Sequence, residues 1–399
     1  MLIKHLSLSN FRNYKNAEVA LQPGVNLLVG PNGQGKTNFV EAVRYLSTLS
    51  SHRVAGYQPL IKQNENSALV RALASFDDRD MLIELELNRE SQNKARINKS
   101  DAQKVRDILG YINSVTFAPE DLDIIKRDPS NRRAFIDELV VQVWPRFAGV
   151  YSDFERVLKQ RNTLLKTARQ TGAKGSALGT LDAWDESLVN FGAEIIGARV
   201  DLIERLRPHL FAAYQKIAIA NNEPRIVIKS SLLVATLNFD DDENATMSAG
   251  DFTEAIENKD KMQIAELFKT KLQSVRNKEI ERGITLVGPH RDDLVLMLGE
   301  LPAKGFASHG ESWSYALALR LASIELLKAE TRSGDPILIL DDVFAELDAG
   351  RRSRLAELVS TNEQVLITAA VAEDVRSELS AVIFEVRSGE VFGGDSVAE

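Results

Sequence analysis

Residues 30–37 read GPNGQGKT and match, in type and spacing, the phosphate-binding loop of nucleoside triphosphatases. Glycine at three of these positions allows a tight turn whose backbone N–H groups can point at phosphate oxygens. Lys36 supplies a positive charge for the β- and γ-phosphates, and the Thr37 hydroxyl is a hard oxygen ligand suited to Mg²⁺. The predicted contacts with the nucleotide are Gly30, Pro31, Asn32, Gly33, Gln34, Gly35, Lys36, Thr37 and Asn38.

An acidic pair follows a second buried strand far downstream. Residues 336–340 (PILIL) form an unbroken apolar run, which suits a buried parallel strand, and the run ends in Asp341 and Asp342. In a Walker B arrangement Asp341 holds Mg²⁺, usually through a water molecule, and the next residue orients the attacking water. The alternative is an acidic pair that caps a helix. The phosphate-binding loop upstream favours the Walker B interpretation.

A third motif, Ser308-His309-Gly310-Glu311, precedes a helix that is predicted to run to Glu330. Serine and glycine at a helix start often serve only as a cap. The alternative is a signature of the ABC type, in which the serine and the helix N-terminus bind a γ-phosphate held by another subunit. The order of the parts favours the second: phosphate-binding loop, long insertion, signature serine, Walker B strand, then an Ala-Glu-Leu-Asp turn.

The elements around these motifs predict how they are positioned. Short strands precede the loop, and a helix follows it. From Pro129 the pattern becomes helical, with a break expected at Pro145. We therefore predict an α/β fold, an ABC-type P-loop ATPase head assembled from two parts around an inserted, mainly helical arm domain. The predicted domains are residues 1–128 (N-terminal head), 129–282 (arm) and 283–399 (C-terminal head).

Composition excludes several classes of function. The chain has 399 residues, no cysteine and a net charge of −8, so disulfides, zinc–thiolate sites and cysteine catalysis are excluded. No general basic field draws the protein onto nucleic acid, so any DNA contact must use a local basic surface. No apolar run approaches the ~18 residues of a membrane span. We expect a cytoplasmic protein without a membrane partner.

Three other functions fit these motifs less well. Residues 98–101 (NKSD) fit the guanine-reading motif of GTPases, but no D-x-x-G precedes them and a polar turn is favoured. A transporter ATPase subunit would have a glutamate after Asp341 and a compact helical subdomain, whereas this chain has Asp342 and a longer insertion. An SMC-like structural protein would need heptads over hundreds of residues.

With these motifs the chain resembles the RecF family of bacterial DNA repair and recombination ATPases, which is related to the heads of SMC proteins. The resemblance covers essentially the whole chain. Its motifs are NFRNY (10–14), GPNGQGKTN (30–38), PEDLDIIKRDPSNRRAFID (119–137), GITLVGPHRDDL (283–294) and LDDVFAELDAGRR (340–352). Two positions depart from the family pattern: Arg127 replaces a usual glycine, and the signature reads S-H-G-E instead of S-x-G-Q, in the form found in actinobacterial relatives.

The resemblance implies roles for further residues. Asp342 replaces the catalytic glutamate of ABC transporters, so slow ATP hydrolysis is expected. Glu120 lies where ABC proteins have the Q-loop and is a candidate contact to Mg²⁺ or water. Arg12 is implied as an ATP contact and Asp348 as the D-loop acid. Ser308, Gly310 and Glu311 form the implied signature that acts in trans.

The resemblance also implies a biological role. It predicts an ATP- and Mg²⁺-dependent protein that dimerises head to head and binds double-stranded, gapped or junction DNA. Members of the family act at stalled forks and single-strand gaps, where they cooperate with RecR and RecO to load RecA. The expected function is therefore an ATP-dependent DNA clamp of recombinational repair and replication restart, with slow hydrolysis releasing the dimer.

Overall fold

The computed structural model describes residues 1–51, 53–77, 79–172, 179–218, 222–233, 256–376 and 379–393. They form two units, each of which packs mainly within itself. The first, which we call the head unit, contains Met1–Leu122, Ala212–Ile219 and Trp313–Glu399. The second, the arm unit, contains Asp123–Phe211 and Ala220–Ser312. None of the helices in the described part of the chain has the length and apolar character that crossing a membrane requires.

Helices and strands alternate through both units. The strands are β1 (Leu2–Phe11), β2 (Tyr14–Ala20), β3 (Gly24–Val29), β4 (Ser67–Phe76), β5 (Arg79–Asn88), β6 (Lys94–Ile97), β7 (Ser100–Asp101), β8 (Ser114–Phe117), β9 (Pro224–Lys229), β10 (Asp293–Leu298), β11 (Leu301–Pro302), β12 (Ile337–Asp341), β13 (Gln364–Ala369), β14 (Ala381–Arg387) and β15 (Glu390–Gly393). The α-helices are α1 (Lys36–Thr48), α2 (Leu122–Lys126), α3 (Pro129–Val143), α4 (Phe147–Thr171), α5 (Gly179–Ile217), α6 (Lys261–Arg282), α7 (Ala303–Phe306), α8 (His309–Glu330), α9 (Ala349–Val359) and α10 (Glu373–Arg376).

Within the described residues, the head unit forms two six-stranded sheets. The first is antiparallel, in the order β2-β1-β4-β5-β6-β7, and its strands alternate buried and exposed side chains as a half-buried sheet requires. The second has the order β15-β14-β3-β13-β12-β8, and its β14, β3, β13, β12 and β8 run parallel. Parallel strands are covered on both faces, which explains why β12 and β13 are buried along their whole length.

One apolar core joins both sheets to the first helix. Ile3 and Leu6 of β1, Phe39 of α1, and Ile339 of β12 belong to a single buried cluster. The helix therefore cannot shift without disturbing this core, because well-packed interiors tolerate little displacement. The cluster holds the N-terminus of α1 at a fixed place beside the ends of the parallel strands.

The arm unit is mainly helical. α4 packs against α6, and each buries an apolar stripe that includes Phe154 on α4 and Phe268 on α6. The helical region is broken as predicted, since α3 ends at Val143 and α4 begins at Phe147 on either side of Pro145. A three-stranded sheet in the order β11-β10-β9 completes the unit.

The small sheet places residues 283–312 in the arm unit, and not in the head unit as the sequence suggested. β10 pairs antiparallel with β9, from Asp293 opposite Lys229 to Leu298 opposite Pro224. These backbone hydrogen bonds tie residues 283–312 to the arm unit, whereas the sequence analysis assigned them to the head. Such pairing joins strands far apart in the chain and leaves no local signal. The predicted boundaries of the functional domains, at 128/129 and 282/283, stay a prediction.

Candidate nucleotide site

The loop between β3 and α1 adopts conformations that its glycines make possible. Gly33 and Gly35 have φ values of 81° and 122°, which only glycine adopts without strain. A larger residue cannot replace Gly30 for a different reason: an added Cβ would lie 2.3 Å from the Val386 carbonyl oxygen. The backbone therefore passes directly against β14 and then turns into the first turn of α1. This geometry aims N–H groups at an anion in front of the helix.

Lys36 lies inside this loop with its side chain only 4% exposed. Its ammonium donates to the Gly30 carbonyl at 2.7 Å and to the Pro31 carbonyl at 3.2 Å, and approaches Asn32 Oδ1 at 3.4 Å. The positive charge is thus held by backbone dipoles at the centre of the loop. A phosphate placed there would replace these carbonyl acceptors with an ionised acceptor, so that both partners of the hydrogen bond would carry charge.

The parallel sheet brings the loop and the predicted acids to one edge. β3, β13, β12 and β8 run in the same direction, so their carboxyl ends meet at that edge. The Thr37 hydroxyl donates to Asp341 Oδ1 at 3.0 Å, and the Thr368 hydroxyl donates to the same oxygen at 2.6 Å. Residues from the ends of three separate segments therefore converge on one carboxylate oxygen.

Asp342 and Glu120 complete an acidic cluster beside Asp341. Burial raises the pKa of Asp341 to about 6, with further contributions from the charges of Asp342 and Glu120, although hydrogen bonds from Thr368 and Thr37 oppose the rise. Asp342 has a φ of 53°, and its N–H donates to Thr368 Oγ1 at 2.9 Å. This left-handed backbone conformation is uncommon for a residue other than glycine, and it ends β12 after Asp341.

The donor set fits a magnesium ion that is shared with a nucleotide. Adjacent ligands of an octahedral Mg²⁺ at about 2.0–2.1 Å lie about 3 Å apart, and Thr37 Oγ1 and Asp341 Oδ1 are separated by 3.0 Å. Among the described residues, no group of three or more acidic, histidine or cysteine side chains could hold a metal alone. The ion would therefore take its remaining ligands from phosphate oxygens and water, as Mg²⁺ commonly does.

Side chains from the β1–β2 turn hold the loop from outside. The Asn13 side-chain amide donates to the Gln34 carbonyl at 2.8 Å, and the Tyr14 hydroxyl donates to the Gly35 carbonyl at 2.9 Å. On the opposite side, the Ser388 N–H donates to Gln34 Oε1 at 2.7 Å. The first two contacts fix backbone carbonyls of the loop and the third fixes the Gln34 side chain, so the loop is held in place by its surroundings.

Arg12 lies in the same turn but contacts α1. Its guanidinium donates two hydrogen bonds to Glu41, at 2.8 Å from Nε and 2.7 Å from Nη2, and the Glu41 side chain is fully buried. Burial alone would raise the pKa of Glu41, but hydrogen bonds from Arg12 and Ser51 outweigh it and lower that pKa. Arg12 therefore ties the turn to the helix of the phosphate-binding loop, and its direct contact with ATP stays a prediction.

Asn38, the last predicted nucleotide contact, also contacts the β1–β2 turn. Its side-chain amide donates to Asn13 Oδ1 at 2.8 Å, and its own Oδ1 accepts from Arg53 Nη1 at 2.8 Å. Both polar ends of the side chain are thus engaged by protein groups on the outer side of α1. A contact between Asn38 and the nucleotide also stays a prediction.

The signature residues lie in the arm unit, where they form a capping box. Glu311 Oε2 accepts the Ser308 N–H at 2.9 Å and the Ser308 hydroxyl at 2.7 Å. Its other oxygen, Oε1, accepts from the Asn222 side chain at 3.0 Å. Hydrogen bonds from Ser308 lower the pKa of Glu311, so this carboxylate is ionised. Ser308 is exposed, and Gly310 lies in the first turn of α8.

The remaining predicted positions are on the surface. Asp348 caps α9 by accepting the Arg351 N–H at 3.0 Å, which leaves its implied D-loop role a prediction. Arg127, which departs from the family pattern, is exposed and pairs with Asp123 at 2.8 Å. Residues 98–101 form a hairpin turn and the strand that follows it: Asn98 and Lys99 connect β6 to β7 with positive φ, and Ser100–Asp101 is β7. The polar turn favoured over a guanine-reading motif is therefore confirmed.

Sequence reasoning missed three residues that this site uses. Thr368 lies in none of the sequence motifs, although a hydroxyl at the carboxyl end of a parallel strand is a usable signal. Asn13 and Tyr14 were noted as part of a motif without a role. Their contacts to residues 34 and 35 depend on how the antiparallel sheet is laid beside α1, which no spacing in the sequence reveals.

Comparisons with known proteins show which family the chain resembles. A family model described as the RecF/RecN/SMC N terminal domain matches residues 2–389. The chain is 52% identical over 393 residues to the DNA replication and repair protein RecF of Clavibacter michiganensis subsp. michiganensis, covering 98% of this chain and 96% of that protein. Solved structures of the recombination mediator protein RecF in the RecFOR pathway, RecF-ATPrS and RecF-ATP, match with TM-scores of 0.85 and 0.82. Their identities are 29% and 28%, covering 100% and 98% of this chain and 98% and 99% of those chains.

Proposed function

The chain belongs to the RecF family of ABC-type ATPases, as its motifs predicted, and we propose that it acts in DNA replication and repair as an ATP-gated clamp on DNA. The observation that carries this proposal is the contact between the Thr37 hydroxyl and the Asp341 carboxylate. It joins the phosphate-binding loop to the Walker B strand at a separation that two ligands of one Mg²⁺ can have. ATP would be the ligand that completes this site.

Each part of the site has a proposed task in ATP binding and hydrolysis. Residues 30–38 bind the triphosphate, with Lys36 on the β- and γ-phosphates, while Thr37 and Asp341 hold Mg²⁺. Asp342 orients the attacking water, and Glu120 assists from the short 3-10 turn that follows β8. Because an aspartate is shorter than a glutamate, Asp342 must act from further away, so hydrolysis is slow. A slow turnover suits a clamp whose bound state must persist.

Dimerisation follows from what one head lacks. In the head unit, the loop and the acids face the triphosphate from one side, so the far side of the γ-phosphate needs another donor. We propose that Ser308 and the N-terminus of α8 from a second copy provide it, since the positive end of a helix favours an anion. ADP lacks this phosphate and would not hold the dimer. ATP therefore closes the clamp, and hydrolysis opens it.

The proposed partners come from the family. RecF relatives are named DNA replication and repair proteins, and solved members belong to the RecFOR pathway. We propose that the dimer binds double-stranded, gapped or junction DNA and cooperates with RecR, together with RecO, to help load RecA. Because this DNA is in the cytoplasm of a bacterium, the cytoplasm is the proposed location.

The experiment is ATP-dependent dimerisation of a Ser308→Arg variant, measured by sedimentation with ATP, with ADP and without nucleotide. The added side chain should block the approach of a second head while leaving Lys36 and Asp341 untouched. We expect the variant to bind ATP as a monomer with an affinity within threefold of the parent, yet to stay monomeric and to hydrolyse no ATP. Ser274→Arg is the matched control, because Ser274 is also exposed and in the arm unit.

Mixing adds a second readout. Ser308→Arg protein combined with Lys36→Met protein should recover at most one working site per dimer, since each chain supplies the half that the other lacks. A Ser308→Arg protein that still dimerises on ATP would refute the clamp. A parent protein that forms the same dimer with no nucleotide would refute it as well, because ATP could then not be the trigger.

A further inference from the structure

Ser308 is already occupied by an acid of its own chain. Glu311 accepts both the N–H and the hydroxyl hydrogen of Ser308 through one oxygen, at 2.9 and 2.7 Å. Asn222 donates to the other oxygen at 3.0 Å and keeps the carboxylate in place. The Ser308 donors that would meet a γ-phosphate in the proposed clamp are thus engaged by a fixed negative charge.

A glutamate at this place has two opposite effects. As the fourth residue of a capping box, it stabilises the start of α8, and a glutamine would do the same through its amide oxygen. Its charge has no such benefit when an anion arrives, because two negative groups within a few ångströms repel each other strongly in a closed interface. Capping therefore does not require the charge, and the charge opposes the proposed ligand.

Resting on the proposed function, we propose that Glu311 is an internal competitor of the γ-phosphate that weakens ATP-driven dimerisation. The partner's nucleotide closes the clamp only when Glu311 releases Ser308 or tolerates the phosphate beside it. Glu311 thus sets the concentration of protein at which the clamp forms. It acts through Ser308 and touches no reacting atom, so it is a positioning residue of the trans site.

The test is Glu311→Gln, which keeps the shape and the capping oxygen but removes the charge. The dissociation constant of the dimer is measured by sedimentation at saturating ATPγS, at low and at high salt. We expect at least a tenfold tighter dimer at low salt, a smaller difference at high salt because ions screen the repulsion, and unchanged ATPγS affinity of the monomer. Glu325→Gln is the control, because it removes an exposed carboxylate from the same helix.

The outcomes separate this inference from the proposed function. If the parent dimerises on ATPγS and Glu311→Gln dimerises equally well, Glu311 is only a helix cap and the inference is wrong. A weaker dimer for the variant would also overturn it, since the charge would then help the interface. If neither protein dimerises, the clamp itself fails and the inference fails with it.

Discussion

Replacing Asp341 by asparagine should stabilise the nucleotide-free protein while abolishing its use of Mg²⁺. The carboxylate is 4% exposed and receives hydrogen bonds only on Oδ1 among the contacts described, from Thr37 and Thr368. Burial raises its pKa from 3.8 to about 6. Ionisation in the folded state is therefore unfavourable, and asparagine removes that cost while keeping an oxygen of the same shape to accept both hydroxyls.

The magnitude follows from the shift in the pKa. Each unit is worth about 1.36 kcal/mol, so a rise of about two units destabilises the parent by about 3 kcal/mol once the group is ionised in both states. Because the pKa of this carboxyl group is raised in the folded state, the free energy of unfolding falls as the pH rises. Below pH ~4 Asp341 is protonated in both the folded and the unfolded state, so it does not lower the stability of the parent. Between pH ~4 and ~6 the folded state retains the proton that the unfolded state releases, so the parent loses stability as the pH rises.

The assay is thermal unfolding of parent and variant without nucleotide, at pH 4.5 and pH 7.5. At pH 7.5 the Asp341→Asn protein should unfold about 6–12 °C higher, given ~2–4 °C per kcal/mol for a unit of this size. At pH 4.5 about two thirds of the difference should disappear. Asp335→Asn is the control, because Asp335 is half-exposed just before the same strand, and a surface change there should be worth no more than about 0.5 kcal/mol.

One result would refute this reasoning. If the Asp341→Asn protein gains the same stability at both pH values, or gains none, the folded state does not resist ionisation of Asp341. The companion measurement is the dependence of ATP affinity on Mg²⁺, which the variant should lose. Stabilisation combined with lost metal dependence would identify Asp341 as a group held in a costly state for the sake of its ligand.

Two further predictions concern ATP itself. Lys36→Met should weaken the binding of a fluorescent ATP analogue by about 2–3 kcal/mol or more, because an apolar stem replaces a charge at the β- and γ-phosphates; the exposed Lys15→Met is the control, and an affinity within threefold of the parent would contradict the assignment. Asp342→Asn should bind ATP normally but not hydrolyse it, so its ATP-bound dimer should outlive that of the parent. Unchanged phosphate release by the Asp342→Asn protein would exclude Asp342 from orienting the water.

The sequence by itself determined the parts of the site that are contiguous. Residues 30–37 form one loop, and residues 336–342 form one strand with its acidic end. Because each motif is contiguous, the spacing of its residues alone predicts phosphate and Mg²⁺ binding. The helix cap at Ser308 is local as well, although the order of the motifs favoured the signature interpretation over it. The family could also be predicted from the sequence, because each of its motifs is a short contiguous segment.

Only the tertiary structure decided which distant residues complete the site. Thr368 reaches Asp341 because β13 pairs with β12, and Asn13 and Tyr14 reach the loop because the β1–β2 turn lies beside α1. Strand order and register depend on the energy of the whole core and not on any local pattern. The unusual pKa of Asp341 has the same origin, since burial and neighbouring charges, which no spacing encodes, set the cost of its ionisation.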